Sequence, residues 1–285
     1  SWSTTASSFT RCRSTTRRGA RVLRLAAVLV VFFTMTPVFV VSVWLIETFR
    51  LAGRRALAKH YSRALCALLR VRVRVIGAPA QGQPALILCN HVSWLDIPVL
   101  ASIGPVAFVA KREVSGYPVV GVIAKLMRTV FVDRTRRHQT PEVNAAIAER
   151  LSEGHPVVLF AEGTSSDGNR VLEFRSALIG AVAQVDPAHA VLLQPASIGY
   201  TRIQGIPMGR QHRPLVAWYG DLDFTPHFKE FVRRGVVDVT VTFGTAVPYD
   251  RNTDRKSAAR SIEDTVRDLT AGALRDRKTE MRMAA

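Results

Sequence analysis

The chain has 285 residues, 48% of them apolar and 21% charged, with a formal net charge of +17. That length suits one large domain plus an appendage and supports a sizeable core. The charge is uneven: residues 1–75 hold fourteen Lys/Arg against the single acid Glu47, a net +13. An excess flanking an apolar segment points to anionic lipid head groups. With neither zinc-finger spacing nor an aromatic RNA-binding motif, nucleic acid is not an expected partner. Cys12, Cys66 and Cys89 form no metal-site pattern and read as reduced, mostly buried thiols.

In chain order, residues 1–20 are rich in Ser, Thr and Arg, lack acids, and read as a disordered basic arm, a composition shared with transit peptides. Residues 21–70 read as a membrane-anchoring helical segment. Leu25–Ile46 carries no charge, and as a helix would be about 33 Å long, enough for the hydrocarbon of a bilayer. Pro37 divides that run, and arginines flank both ends (Arg17, Arg18, Arg21 and Arg24 before, Arg50, Arg54 and Arg55 after). If positive charge marks the cytoplasmic side, both ends belong there, which favours an embedded hairpin or interfacial helix pair over a single crossing. Residues 50–70 continue as an amphipathic helix. Val71, Val73 and Val75 then alternate with Arg72 and Arg74, as in a strand with one wet face at a sheet edge.

From residue 71 to 285 strands and helices alternate. Strands are expected at 85–89, 106–110, 129–133, 156–160, 190–198, 214–219 and 236–243, and helices at 94–103, 117–127, 141–152, 176–184 and 257–275. This predicts an α/β domain, a mostly parallel sheet flanked by helices, behind an N-terminal membrane-associated helical segment.

Four stretches carry polar groups to strand ends, where open α/β sheets place ligands. After the apolar run 85–89 come Asn90 and His91, and Asp96 lies five residues past the histidine. A carboxylate held against one imidazole nitrogen fixes the tautomer and frees the other to take a proton. The same residues also fit a helix cap, with Ser93 as N-cap. Phe131-Val132-Asp133-Arg134 ends a strand in an Asp-Arg pair, able to hold a phosphate or to form a surface ion pair. Glu162-Gly163-Thr164 follows another strand; Gly163 permits backbone approach, and its neighbours offer hydrogen bonds to a hydroxylated head group, while a plain surface turn is the alternative. Leu193–Ser197 is a strand interrupted by Pro195, which implies an edge or a bulge. Asp221, Asp223 and His227 have ligand-like spacing but read as structural.

Together and in this order, the four stretches resemble the glycerolipid acyltransferase family. Its first motif, His-x4-Asp, is met by His91 and Asp96; its second resembles Phe131 to Arg134; its third is met by Glu162, Gly163 and Thr164 and then Phe174-Arg175; its fourth is similar to Gln194–Ile198. Lys111 also fits the family's pattern. Ser165 stands where the family usually has an Arg thought to meet the phosphate of lysophosphatidic acid, and a compact uncharged side chain supplies no bidentate anion contact. Residues 162–170 and 217–221 look like the branch that acylates lyso-ornithine lipid.

The resemblance implies a membrane-associated O-acyltransferase, sited at a bacterial inner membrane with its catalytic domain on the cytoplasmic face. His91, oriented by Asp96, is the expected base. Glu162, Gly163, Thr164, Arg134, Arg175 and Lys111 are the expected substrate-binding residues. The expected partners are membrane lipids, a lysolipid acceptor and an acyl thioester of acyl carrier protein or coenzyme A, with no metal and no other cofactor. The rival acceptor is 1-acylglycerol-3-phosphate. A lipase is disfavoured by the lack of a Gly-x-Ser-x-Gly elbow, and a non-catalytic membrane-binding module is the remaining class.

Overall fold

The computed structural model describes residues 3–116, 120–132, 140–154, 156–185, 191–249 and 254–275. Helix α1 (Ser3–Thr48) takes in residues 3–20, expected as a disordered arm, and runs through Pro37 without reversing. The chain turns instead at residues 49–53, where Arg50 and Gly53 take left-handed backbones (φ 51° and 111°), and α2 (Arg54–Leu68) returns beside α1. Val22–Thr48 is, among the described residues, the one stretch long and apolar enough to cross a membrane, 27 residues that hold an 18-residue window of mean hydropathy 2.4.

That stretch lies along the domain. Phe39 and Val43 pack on Tyr61 of α2; the Phe39 and Tyr61 rings stack 4.2 Å apart, and the Thr36 and Tyr61 hydroxyls pair at 3.0 Å. Val28 belongs to the main core, with Leu25 packed against it. The helix is thus held from Leu25 to Val43, about 27 Å at 1.5 Å per residue. Its opposite face, including Val30, Phe33, Val38, Val41 and Trp44, is exposed.

Among the described residues nine strands form one sheet: β1 (Val71–Ile76), β2 (Ala85–Cys89), β3 (Ala107–Lys111), β4 (Val130–Val132), β5 (Val157–Phe160), β6 (Leu192–Ile203), β7 (Ile206–Pro207), β8 (Val237–Phe243) and β9 (Val247–Pro248). The main order is β1-β8-β6-β2-β5-β3-β4, with β7 and β9 paired to β6. Along that order every pair is parallel except β8 with β6. The expected mostly parallel sheet is present, and β1 is its edge.

The remaining helices are α3 (Asp96–Ile103), α4 (Val120–Leu126), α5 (Thr140–Ser152), α6 (Phe224–Arg234) and α7 (Arg255–Arg275), with a 3-10 segment at Ser176–Gln184. Alternate residues of each buried strand point to opposite faces. Ile87 and Cys89 join Phe108, Phe160, Leu100 of α3 and Phe231 of α6 on one side. Leu86 and Leu88 join Ile147 and Leu151 of α5, Ile179, and Ile262 and Val266 of α7 on the other. Burial on both faces is why these strands read as continuous apolar runs.

Three expectations are corrected. Residues 214–219 form no strand: a 3-10 turn at Arg213–Leu215 leads into a loop whose Trp218 N–H donates to the Val92 carbonyl. The apolar run Leu215–Tyr219 is buried by covering the His91 turn, so apolarity alone misidentified it. Helix α6 was not anticipated, although Phe224, Phe228 and Phe231 recur at helical spacing. Finally, Pro195 marks no edge: β6 lies inside the sheet, between β8 and β2, and the irregularity in its pairing is a register shift with β8 at Tyr200/Arg202. Pro195 falls at the break between β8 and β9, where Gly244 N–H donates to the Pro195 carbonyl at 2.9 Å. The missing proline N–H therefore costs the ladder nothing on that side.

Candidate active site

The site grows from the turn between β2 and α3. Asn90 is buried, and its side chain extends the β2–β6 pairing beyond the ladder: Oδ1 accepts from Ile198 N–H at 2.8 Å, and Nδ2 donates to the Ile198 carbonyl at 3.0 Å. The carbonyls that follow are tied down as well. His91 O accepts from the Ser166 N–H (2.8 Å) and hydroxyl (3.2 Å), and Val92 O accepts from Trp218 N–H at 2.9 Å. The turn is therefore held by β6, by the loop after β5, and by the loop before α6.

Asp96 opens α3, and its fully buried side chain folds back on the turn. Oδ2 meets His91 Nδ1 at 2.8 Å and accepts from Val92 N–H at 2.7 Å and Ser93 N–H at 3.0 Å. Oδ1 accepts the Tyr200 hydroxyl at 2.7 Å. An ionised carboxylate is acceptor-only, so these converging donors suit the anion and set the imidazole with its proton on Nδ1. Half of the capping reading holds beside the dyad: Asp96 accepts from the Ser93 N–H at 3.0 Å as a capping-box acid does, while Ser93 Oγ makes no hydrogen bond.

The His91 ring lies flat on Phe160, centroids 4.1 Å apart and planes 17° from parallel, with 19% of the side chain exposed. Stacking holds the plane and Asp96 holds one nitrogen. The other nitrogen, Nε2, is left as a base toward solvent or substrate.

Tyr200 is the residue that sequence reasoning missed. It stands 104 positions from Asp96, and no local pattern couples them. Burial first, then Asp96, holds its phenol well above its usual pKa, so it remains a donor. Tyr200→Phe leaves Oδ1 of a buried carboxylate without this donor, a loss of about 1–3 kcal/mol. The expected outcome is a lower unfolding temperature together with reduced turnover, read by thermal unfolding in detergent and by initial rates.

The Glu162 stretch lies beside this turn, since β5 pairs directly with β2 and Ala161 N–H donates to the Cys89 carbonyl at 3.2 Å. Glu162 is buried, and neither carboxyl oxygen has a hydrogen-bond partner of ordinary geometry. Burial pushes its carboxyl up to about 8, against the opposing pull of the Leu172 and His91 backbones. Gly163 has φ 71°, and a Cβ there would stand 3.0 Å from Arg175 Cδ. The glycine thus both permits the turn and leaves room for Arg175 to lie across it. Its N–H is engaged by the Phe160 carbonyl at 3.1 Å, which removes it as a free oxyanion donor. Thr164 and Arg175 are exposed beside it.

Ser165 does not face outward as an acceptor contact. Its hydroxyl donates to the Trp218 carbonyl, tying the Glu162 loop to the loop before α6. Lys111, at the end of β3 on the same sheet edge, is exposed and pairs with Glu113 at 3.0 Å. Arg134 lies outside the described residues. The structure therefore gathers His91, Asp96, Glu162, Gly163, Thr164 and Arg175, with Lys111 along the same edge.

An aromatic wall stands next to the histidine turn. Trp94 meets Phe224, Phe228 and Phe231 of α6 with centroids 5.4–5.8 Å apart, and its indole N–H donates to His227 Nδ1 at 3.2 Å. Burial lowers the His227 pKa, in keeping with a neutral imidazole accepting that bond. His227 is thus a packing residue for Trp94.

The chain is similar in sequence and fold to known proteins. A profile of the Acyltransferase family matches residues 70–199, which span the His91 and Glu162 stretches and most of β6. A lyso-ornithine lipid O-acyltransferase of Brucella abortus is 47% identical over 79% of this chain and 85% of its own length. Another, of Rhizobium meliloti, is 43% identical over 87% and 84%. The fold is that of the 1-acyl-sn-glycerophosphate acyltransferase from Thermotoga maritima, with a TM-score of 0.64 at 20% identity, covering 90% of this chain and 96% of that one. By its histidine-aspartate turn, its fold and these relatives, the chain belongs to the acyltransferase family of enzymes, most like the lyso-ornithine lipid O-acyltransferase branch.

Proposed function

We propose that the enzyme moves a fatty acyl group from a thioester of acyl carrier protein or coenzyme A to the free hydroxyl of lyso-ornithine lipid, giving ornithine lipid. The observation that carries the mechanism is the His91 Nδ1 contact with the buried Asp96 at 2.8 Å. Nε2 takes the proton of the acceptor hydroxyl as its oxygen attacks the thioester carbonyl. The tetrahedral adduct then collapses, the C–S bond breaks, and the proton passes from His91 to the departing thiolate. No protein nucleophile is required, and neither metal nor other cofactor has a step in this scheme. Thr164 and Arg175 are the exposed donors beside Gly163 and are assigned to the acceptor, with Lys111 further along the edge, and the motif residue Arg134 is assigned the same role.

The acceptor assignment draws on the names of the relatives and on Ser165. With its hydroxyl bound to a backbone carbonyl, Ser165 offers no anion contact where a phosphate would need one. Residues 1–20 serve as a basic arm, 21–70 as the anchoring segment and 71–285 as the catalytic domain. The apolar helix and the lipid-modifying relatives indicate membrane association. We place the enzyme on the cytoplasmic face of a bacterial inner membrane, with α1 lying in the interface. A straight crossing would pull the charged residues of α2 into hydrocarbon, because Met35, Phe39 and Val43 of α1 are packed on that helix.

The test offers lyso-ornithine lipid and lysophosphatidic acid together to membranes carrying the enzyme, with labelled acyl carrier protein thioester and a His91→Ala control. Label is expected in ornithine lipid. His91-dependent label in phosphatidic acid keeps the family and overturns this acceptor.

A further inference from the structure

A cavity of about 350 Å3 opens at the far end of the molecule from His91. It lies where the α1–α2 turn meets the start of β3. Because β2 and β3 both run parallel to β5, the start of β3 and the end of β2 lie on opposite sheet edges. Leu51, Arg54, Arg55, Pro105, Met127 and Arg128 line it, so three guanidinium groups reach one cavity from two distant parts of the chain.

These arginines sit where ordinary backbone preferences disfavour them. Helix α2 begins with Arg54 and Arg55, has no acid in its first turn, and is preceded by Gly53, which supplies no side-chain cap. The partial positive charge of a helix N-terminus disfavours cations there. Arg128 follows α4 with a left-handed backbone (φ 59°), a conformation that favours Gly at such a position. Burial lowers the Arg54 pKa; Glu47 opposes that, while Arg128 and Arg150 add to it. Two carboxylates stand nearby: Glu47 pairs with Arg54, and Glu153 is shared between Arg128 at 3.0 Å and Arg150 at 3.3 Å while its carbonyl accepts from Arg55 at 3.4 Å. Cations gathered round a positive helix end, within a cavity, are stabilised by an anion.

The cavity's position indicates which anion. Phe49 and Leu51, 64% and 58% exposed, flank it and continue the exposed apolar face of α1. The cleft therefore opens at the depth where hydrocarbon gives way to head groups. We propose that this cleft binds the phosphate of an anionic membrane lipid, apart from the acceptor site, and so fixes how the domain sits on the bilayer. The inference rests on the membrane-associated reading above.

The test uses the full-length protein and co-sedimentation with vesicles of phosphatidylcholine alone or mixed with phosphatidylglycerol. Arg55→Gln/Arg128→Gln is compared with wild type and with Arg72→Gln/Arg74→Gln, an equal charge loss on the β1 edge. At about 1 kcal/mol per cation near an anionic surface, each cleft arginine is worth about fivefold in the phosphatidylglycerol-dependent increment. The cleft variant is expected to lose that increment while keeping its binding to neutral vesicles and its turnover in detergent, and the β1-edge variant to keep all three. Arg128→Gly removes one guanidinium at a backbone that suits glycine, so its reduced increment cannot be assigned to misfolding.

An increment surviving in the cleft variant, or lost equally in the β1-edge variant, overturns the site. Thermal stabilisation of wild type by inorganic phosphate with no phosphatidylglycerol increment overturns the lipid source in favour of a free phosphate. Wild type binding neither vesicle overturns the membrane-associated reading itself.

Discussion

His91→Ala is expected to lower turnover by about two to four orders of magnitude, the usual contribution of a positioned general base. The fold should survive the change, because the imidazole contributes one hydrogen bond and one stacked face at a partly exposed position. Asp96→Ala should behave differently. It removes the acceptor for His91, Val92, Ser93 and Tyr200 at once, leaving buried donors unpaired, so activity and stability fall together. Asp96→Asn separates these effects in part: the amide keeps the volume but supplies only one acceptor oxygen, and the tautomer that exposes Nε2 is no longer enforced. Initial rates measured alongside unfolding temperatures distinguish the three variants. A His91→Ala enzyme with near-normal turnover defeats the mechanism.

The second large effect concerns Glu162 and pH. Its carboxyl is raised from 4.5 to about 8 by burial. The folded chain therefore holds this proton where the unfolded chain has released it. The contribution of this group to stability is greatest below about 4.5, falls as pH rises toward 8, and changes no further above that. The slope approaches about 1.4 kcal/mol per pH unit across the window. Glu162→Gln mimics the protonated carboxyl and titrates nowhere, so the difference between wild type and this variant should grow steadily from pH 5 to 8, in the variant's favour. Unfolding midpoints in detergent across that range provide the measurement, and parallel curves defeat the assignment. The same variant should retain much of its activity at neutral pH if the neutral carboxyl is the working form, whereas Glu162→Ala opens a cavity beneath Gly163 and loses it.

Much of the fold was legible because parallel strands buried on both faces are uninterrupted apolar runs. Val157–Phe160 and Ala85–Cys89 can be read without a partner in view. Residues 214–219 carry the same apolar signal for another reason, packing as a loop against the His91 turn. Helix α6 was overlooked because its apolar residues are aromatics spaced among charges, and their partner is Trp94, more than a hundred residues earlier. The Ser93-x-x-Asp96 spacing also fitted a helix cap; in the fold the one carboxylate serves both, taking the Ser93 N–H and the His91 ring nitrogen.

The sequence by itself determined the seven strands of the main sheet order, which residue types stand at their carboxyl ends, and that an apolar helix flanked by arginines precedes them. These are local properties, set by side-chain periodicity and by charge along a few consecutive residues. Only the tertiary structure decided that Tyr200 completes the bonding of Asp96, that Ser165 turns to the Trp218 carbonyl, and that Gly163 leaves room for Arg175. It also decided that the helix pair turns at residues 49–53 rather than at Pro37, bringing Arg54 and Arg55 to the cavity that Arg128 shares. Each is a contact between segments far apart in the chain, and its energy depends on distance and burial that no stretch of sequence specifies alone.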